Sequence, residues 1–135
     1  VVDQGILREF LYDWETAALA GVPPTGHVGC RHLQWEIPPG TEPKVGLLAG
    51  MEEGLLAKKL IGYGGNLITG EFSCNVELGF RVRRGEIVGR VKNVMISGNF
   101  YDLFRKPIVL SSDRDPCLLL PWARVEGVDV VAKSA

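Results

Sequence analysis

Glycine and proline interrupt this chain so often that only short elements can form. Seventeen glycines and eight prolines are spread through 135 residues. Glycine gives up more backbone freedom on folding than any other residue, and proline lacks an N–H donor. Neither belongs inside a long helix, so the chain reads as short strands and helices joined by turns. The fold class expected is α+β: an antiparallel, β-rich domain of sheets or a partial barrel, with two or three short helices. At this length residues 1–135 fit a single domain with a real core. The chain opens on a strand-like run with no methionine, and it is expected to be part of a longer protein.

The pattern places the elements as follows. Val1 to Leu7 reads as two strand ends around a polar turn, with a strand continuing from Ile6 to Tyr12. Asp13 precedes Trp14-Glu15-Thr16-Ala17-Ala18-Leu19-Ala20, and Gly21 closes the run. A capping aspartate, an alanine-rich middle and a terminal glycine predict a short helix. Gly21 to Gly29 is a loop. Leu33, Trp35 and Ile37 alternate with His32, Gln34 and Glu36, which predicts a strand. Leu47, Leu48, Met51, Leu55 and Leu56 recur at helical spacing and predict a helix over about Val45 to Ala57, with Glu52 and Glu53 on its exposed side. Gly62 to Asn66 reads as a glycine-rich loop, and Gly70 to Ser73 opens the longest strand region. Arg83-Arg84-Gly85-Glu86 forms a tight turn into Ile87 to Val91, giving a β-hairpin. Asn99 caps a helix from Phe100 to Arg105, stopped by Pro107. Two final strands lie near Ile108 to Leu110 and Leu118 to Val131.

Composition excludes several functions. Fifteen basic and sixteen acidic residues leave a net charge of −1, without the basic surplus that supplies most affinity for nucleic acid. Arg81, Arg83 and Arg84 read as a solvated cluster beside a turn. No apolar run approaches the length of a bilayer span. Asp3, Arg8 and Glu9 rule out a signal peptide at the start. Cys30, Cys74 and Cys117 are odd in number and widely spaced, which suits a reducing, cytoplasmic setting better than a disulfide framework.

Catalytic groups are sparse. His27 and His32 are the only histidines, one in a proline-glycine loop and one at a strand start. No His-Glu-x-x-His run places two rings one helical turn apart on a zinc ion. Cys30 lies between the two histidines with no further ligand in sequence. Cys74 reads as a small buried hydrophobe and Cys117 as an exposed loop thiol. No serine occupies a Gly-x-Ser-x-Gly elbow. The Gly62–Asn66 run lacks the Gly-Lys-Ser/Thr ending of a phosphate loop, and it reads instead as a place where backbone approaches backbone or a peptide. No catalytic residue and no metal ligand is expected in these residues.

Four segments in series resemble the C-terminal domain of the TldD/PmbA family, once described as modulators of DNA gyrase. The first is Gly5-Ile6-Leu7-Arg8-Glu9-Phe10-Leu11-Tyr12-Asp13 with Thr16-Ala17, Gly21 and Thr25-Gly26. The second is Pro39-Gly40 with Leu47-Leu48 and Glu53-Gly54-Leu55-Leu56. The third is Gly64-Gly65-Asn66 with Thr69-Gly70-Glu71-Phe72-Ser73, Gly79 and Gly85-Glu86-Ile87. The fourth is Val94, Ile96-Ser97-Gly98-Asn99 and Leu103, with Pro121 and Val125.

The resemblance implies a module of a cytoplasmic metallopeptidase complex that processes and matures unfolded or modified peptides. It implies a TldD-like partner subunit or a homodimer, and zinc held by the partner or by an N-terminal domain. The family's metal-binding subunit carries a His-Glu-x-x-x-His helix and a Cys-Gly segment. Here Cys117 precedes Leu118-Leu119-Leu120, so the chain looks like the PmbA-like, non-metal-binding subunit. Peptide contact is expected at Gly64, Gly65, Asn66, Thr69, Gly70, Phe72 and Ser73. Trp14, Trp35 and Trp122 are the aromatic candidates for a subunit interface or for the core. Two other functions are weighed: a self-contained metal hydrolase using His27, His32 and a cysteine, and a nucleic-acid-associated, gyrase-modulating regulator, which the near-neutral charge disfavours.

Overall fold

The computed structural model describes residues 2–3, 6–31 and 36–132, and the chain divides into two compact units, Val1–Ile37 and Pro38–Ala135. In the first unit, β1 (Val2–Asp3) and β2 (Ile6–Leu7) pair antiparallel, Val2 opposite Leu7. The strand expected from Ile6 to Tyr12 therefore stops after Leu7, because residues 8–13 find no ladder to join.

Helix α1 (Trp14–Ala20) has the limits its sequence predicts. The Asp13 carboxylate accepts from the Thr16 N–H at 2.9 Å and from the Thr16 hydroxyl at 2.7 Å, while Thr16 Oγ1 accepts from the Asp13 N–H at 3.1 Å. This reciprocal cap satisfies N–H groups that the first turn of a helix leaves without partners. Gly21 ends the helix at φ +68°, in the left-handed region. Beyond it, Thr25 clasps the chain ahead of the helix. Its hydroxyl accepts from the Tyr12 N–H at 2.8 Å, and its N–H reaches the Tyr12 carbonyl at 3.0 Å. Ala17 is the buried residue of the helix. The strand expected over His32–Ile37 lies largely outside the described residues, and Glu36 and Ile37 are in no strand.

The second unit is built on one long strand. β4 (Glu71–Arg83) pairs antiparallel with β3 (Glu53–Asn66) along one edge. Its other edge is shared by β5 (Glu86–Val91) and β6 (Val94–Asn99). Val91 faces Gly79 and Val94 faces Val76, so β5 from Gly89 onward and β6 follow β4 in one register across the break at Lys92–Asn93, while a register shift at Arg81/Val82 offsets the start of β5. β9 (Asp129–Ala132) adds to the far side of β6. β7 (Val109–Arg114) and β8 (Pro121–Arg124) form a separate pair. Helix α2 (Lys44–Ala49) is fastened to β7, with the Lys44 N–H donating to Asp113 Oδ1 at 2.7 Å. Helix α3 (Phe100–Phe104) follows β6 directly, capped by Asn99.

Antiparallel sheets with three short helices are thus present among the described residues, as the sequence implied. The buried side chains of this unit include Leu47, Phe72, Val76, Val82, Val94 and Leu103. Ser111 is also buried; its hydroxyl accepts from the Trp122 N–H at 2.7 Å and donates to the Asp113 carbonyl at 2.5 Å.

Three expectations need correction. The helix expected to reach Ala57 ends at Ala49, capped by Gly50, and Glu53 begins β3. Leu55 and Leu56 sit at helical spacing, but pairing opposite Arg81 and Phe80 prevails over a helix that would carry glycines at 50 and 54, each costing about 1 kcal/mol. The Gly62–Asn66 loop is the end of β3, with register shifts rather than a reversal. The region Leu118–Val131 holds two strands in different sheets, and β6 was not foreseen as a strand.

The Asp13 cap carries a pH signature. The Thr16 N–H bond, followed by the Thr16 hydroxyl, lowers the Asp13 carboxyl below its ordinary value. A carboxyl depressed in the folded state stabilises fully above its unfolded value, near 3.8, and that contribution fades as pH falls through the folded value. Melting curves followed below about pH 4 should therefore show wild type losing stability faster than Asp13→Asn, which keeps an acceptor but does not titrate. Identical pH profiles for the two proteins would remove the carboxylate from this role.

Candidate functional site

The expected peptide-contact residues come together at one end of the large sheet. Gly64, Gly65 and Asn66 close β3 opposite Ser73, Phe72 and Glu71 of β4. The reversal between them is Leu67–Gly70, where the Gly70 N–H donates to the Asn66 carbonyl at 2.8 Å. The Asn66 side chain accepts from the Ile68 N–H at 2.8 Å, the self-bonded asparagine turn that this residue favours.

Helix α3 holds this turn in place. Asn99 accepts from the Tyr101 N–H at 2.9 Å and donates through Nδ2 to the Thr69 carbonyl at 2.8 Å. The Phe100 N–H donates to the Gly70 carbonyl at 2.9 Å, and the Tyr101 hydroxyl to the Leu67 carbonyl at 3.2 Å. Beneath the turn, Phe72 is only 7% exposed and its ring stacks on Phe100 at 4.4 Å. One asparagine thus caps a helix and pins a turn.

The seven residues occupy different positions within this end. Phe72 and Ser73 lie on β4, whose two edges are both filled there, by β3 and β6. Gly70 is buried against the Tyr101 ring. Gly64, Gly65 and Asn66 lie on β3, whose outer edge meets no strand among the described residues. Thr69 is exposed, its hydroxyl donating to Glu71 Oε2 at 3.2 Å. Gly65 has φ +156°, and a Cβ there would stand 2.2 Å from the Glu71 carbonyl oxygen. Only glycine allows the two strands to close that tightly.

Metal-ligating side chains do not gather. Among the described residues no group of three or more His, Cys, Asp or Glu could hold an ion. His27 Nδ1 lies 2.9 Å from Thr25 Oγ1, and Cys30 Sγ lies 3.3 Å from Thr16 Oγ1. His32 lies outside the described residues. Cys74 is half-buried on β4 and Cys117 is exposed. Asp115, the carboxylate nearest Cys117 in sequence, accepts from the Leu118 and Cys117 N–H groups, which lower its carboxyl below the ordinary value. The donor set of a zinc site is therefore not assembled from the described residues.

Trp14 is 83% exposed, whereas Trp122 is half-buried, with Lys44 Nζ 3.6 Å from its ring centre. Trp35 lies outside the described residues. The sequence did not reveal a cleft of about 1100 Å³ in the second unit, lined by Leu47, Leu56, Leu60, Ile96, Trp122 and Val130 among others. Seven separate elements, α2, β3, β4, β5, β6, β8 and β9, contribute to its walls, so no local pattern announces it. On β3 its lining ends at Leu60, short of the candidate contact residues.

Residues 1–132 match the family model of the PmbA/TldA metallopeptidase C-terminal domain. The chain belongs to the PmbA/TldD metallopeptidase family. It is 31% identical over 134 residues to the metalloprotease PmbA of Escherichia coli O157:H7, covering 94% of this chain and 29% of that protein. It is 30% identical to a zinc metalloprotease TldD homologue of Saccharolobus solfataricus, covering 84% of this chain and 27% of that one. A crystal structure from Thermotoga maritima, of a candidate modulator of a DNA gyrase, superposes with a TM-score of 0.81 at 36% identity, over 96% of this chain and 32% of that chain. TldE from Thermococcus kodakarensis shares the fold, with a TM-score of 0.78 at 22% identity, over 97% of this chain and 33% of the other. The PmbA/TldD domain here spans less than a third of these curated relatives.

The Asn99 linkage makes separable predictions. Asn99→Ala should lower stability by about 1–2 kcal/mol, the value of a lost cap plus a lost hydrogen bond. Asn99→Asp keeps the cap and loses the donor to Thr69, so it should speed amide exchange near Gly70 with a smaller loss of stability. Gly65→Ala should destabilise by more than about 1 kcal/mol. Chemical denaturation and hydrogen exchange read all three.

Proposed function

We propose that this chain is the C-terminal, PmbA-like domain of a longer cytoplasmic protein, and that it serves a peptide-processing metallopeptidase without holding the metal. An unfolded or modified peptide lies extended along the end of β3 and is held by main-chain hydrogen bonds. Gly64, Gly65, Asn66 and Thr69 meet it directly, while Gly70, Phe72 and Ser73 form the platform beneath. Zinc and the attacking water belong to a TldD-like partner subunit, or to another domain of the same protein in a homodimer.

The observation that carries this reading is the outer edge of β3, unpaired among the described residues and ending at the pinned Leu67–Gly70 turn. An open edge is a ready partner for an extended chain, and main-chain pairing accepts many sequences. Family membership supplies the peptidase context. That no donor set gathers among the described residues supports assigning the zinc elsewhere. Three free cysteines support a cytoplasmic setting. The net charge of −1 gives no support to a nucleic-acid partner.

The test is reconstitution. The purified chain should carry no stoichiometric zinc and leave unfolded peptides intact. Together with a TldD-like subunit, the full-length protein should support hydrolysis that Thr69→Asp, at an exposed position of this end, reduces. Zinc bound one to one by this chain, with hydrolysis by the chain alone, would overturn the assignment.

A further inference from the structure

The tip of the candidate contact end is uncharged, and the β3 edge beside it meets no strand among the described residues. From Gly62 to Gly70 there is no charged residue. Within that stretch Leu67 is 76% exposed and Ile68 is 88% exposed, and the side chain of Tyr63 is also exposed. Tyr101 is exposed beside them, its hydroxyl on the Leu67 carbonyl. Exposed leucine and isoleucine at a mobile loop tip would carry little meaning. Here the tip is fixed by bonds to Asn99, Phe100 and Tyr101.

The two halves of the β3 edge also differ. Its first half carries Lys58 and Lys59, the latter paired to Glu77 at 2.7 Å, and register shifts interrupt it up to Gly64. Lysines and irregular register are the usual protections of an open edge against unwanted pairing. The last residues, Gly64 to Asn66, run in regular register and carry no such guard.

We infer that the end of β3 and the Leu67–Ile68 turn select extended peptide segments whose alternate side chains are apolar and uncharged. This rests on the peptide-holding reading above and adds the substrate class. A strand paired beside Gly64–Asn66 places every second side chain on one face, and in running past the turn it brings them against Tyr63, Leu67 and Ile68. Apolar side chains lose water-exposed surface there. A charged side chain at the same position gives up hydration, and Gly62–Gly70 offers it no counter-charge; Glu71, the carboxylate at this end, already accepts from the Thr69 hydroxyl at 3.2 Å. Such segments are buried in folded proteins, so the preference directs the site to unfolded chains.

Binding of short fluorescent peptides to the 135-residue chain tests this, read by anisotropy. Four peptides of equal length are compared: one with isoleucine and tyrosine at alternate positions, one with aspartate in those places, one with lysine there, and the first with alternate amides N-methylated. The apolar peptide should bind at least roughly tenfold tighter than either charged one, and N-methylation should abolish binding. Ile68→Asp, on an exposed side chain, should weaken the apolar peptide by a similar factor at an unchanged melting temperature. Leu67→Ser is the second variant should Ile68→Asp disturb folding.

Equal binding of apolar and charged peptides, with N-methylation still blocking it, overturns the selectivity and leaves edge pairing standing. Binding of the N-methylated peptide, or of none of the four, overturns both.

Discussion

Strand β4 is the member on which the second unit depends. Both of its edges are occupied, by β3 on one side and by β5 and β6 on the other. Its side chains Phe72, Val76 and Val82 are buried. A strand so placed satisfies its backbone groups through neighbours on either hand, as buried polar groups require. That leaves backbone free only at the rims. Phe72 and Ser73 thus sit on an enclosed strand, whereas Gly65 and Gly64, opposite them on β3, lie on an edge that meets no strand among the described residues.

The residues shared with the family in the first unit turn out to be fasteners. Asp13 and Thr16 cap α1, Ala17 is its buried contact, Gly21 supplies the left-handed exit, and Thr25 ties back to Tyr12. None is arranged for chemistry. In the second unit, Asn66 and Asn99 have the same character, each feeding a side chain into a backbone turn.

What could be read in advance follows from this. Caps and tight turns act over three or four residues, so Asp13, Gly21, Gly85 and Asn99 were legible from local chemistry. The Gly62–Asn66 run was not, since glycine suits a loop and an irregular edge strand equally. Helix α2 was drawn too long because Leu47, Leu48, Met51, Leu55 and Leu56 fit a helical period, while the partner that claims Leu55 and Leu56 lies about two dozen residues away on β4. The candidate contact end was half legible. Its residues were named from the motif, but the open edge and the pinning by α3 arise from pairings remote in sequence.

The single register shared by β5 and β6 has a kinetic consequence. β3, β4 and the β5–β6 segment are consecutive in the chain, so each hairpin closes a short loop, and loop closure sets much of the folding barrier. β9 instead returns from far downstream, Ala132 opposite Val94. The three-stranded meander is therefore positioned to assemble before β9 arrives, an order that pulse-labelled amide exchange would display strand by strand.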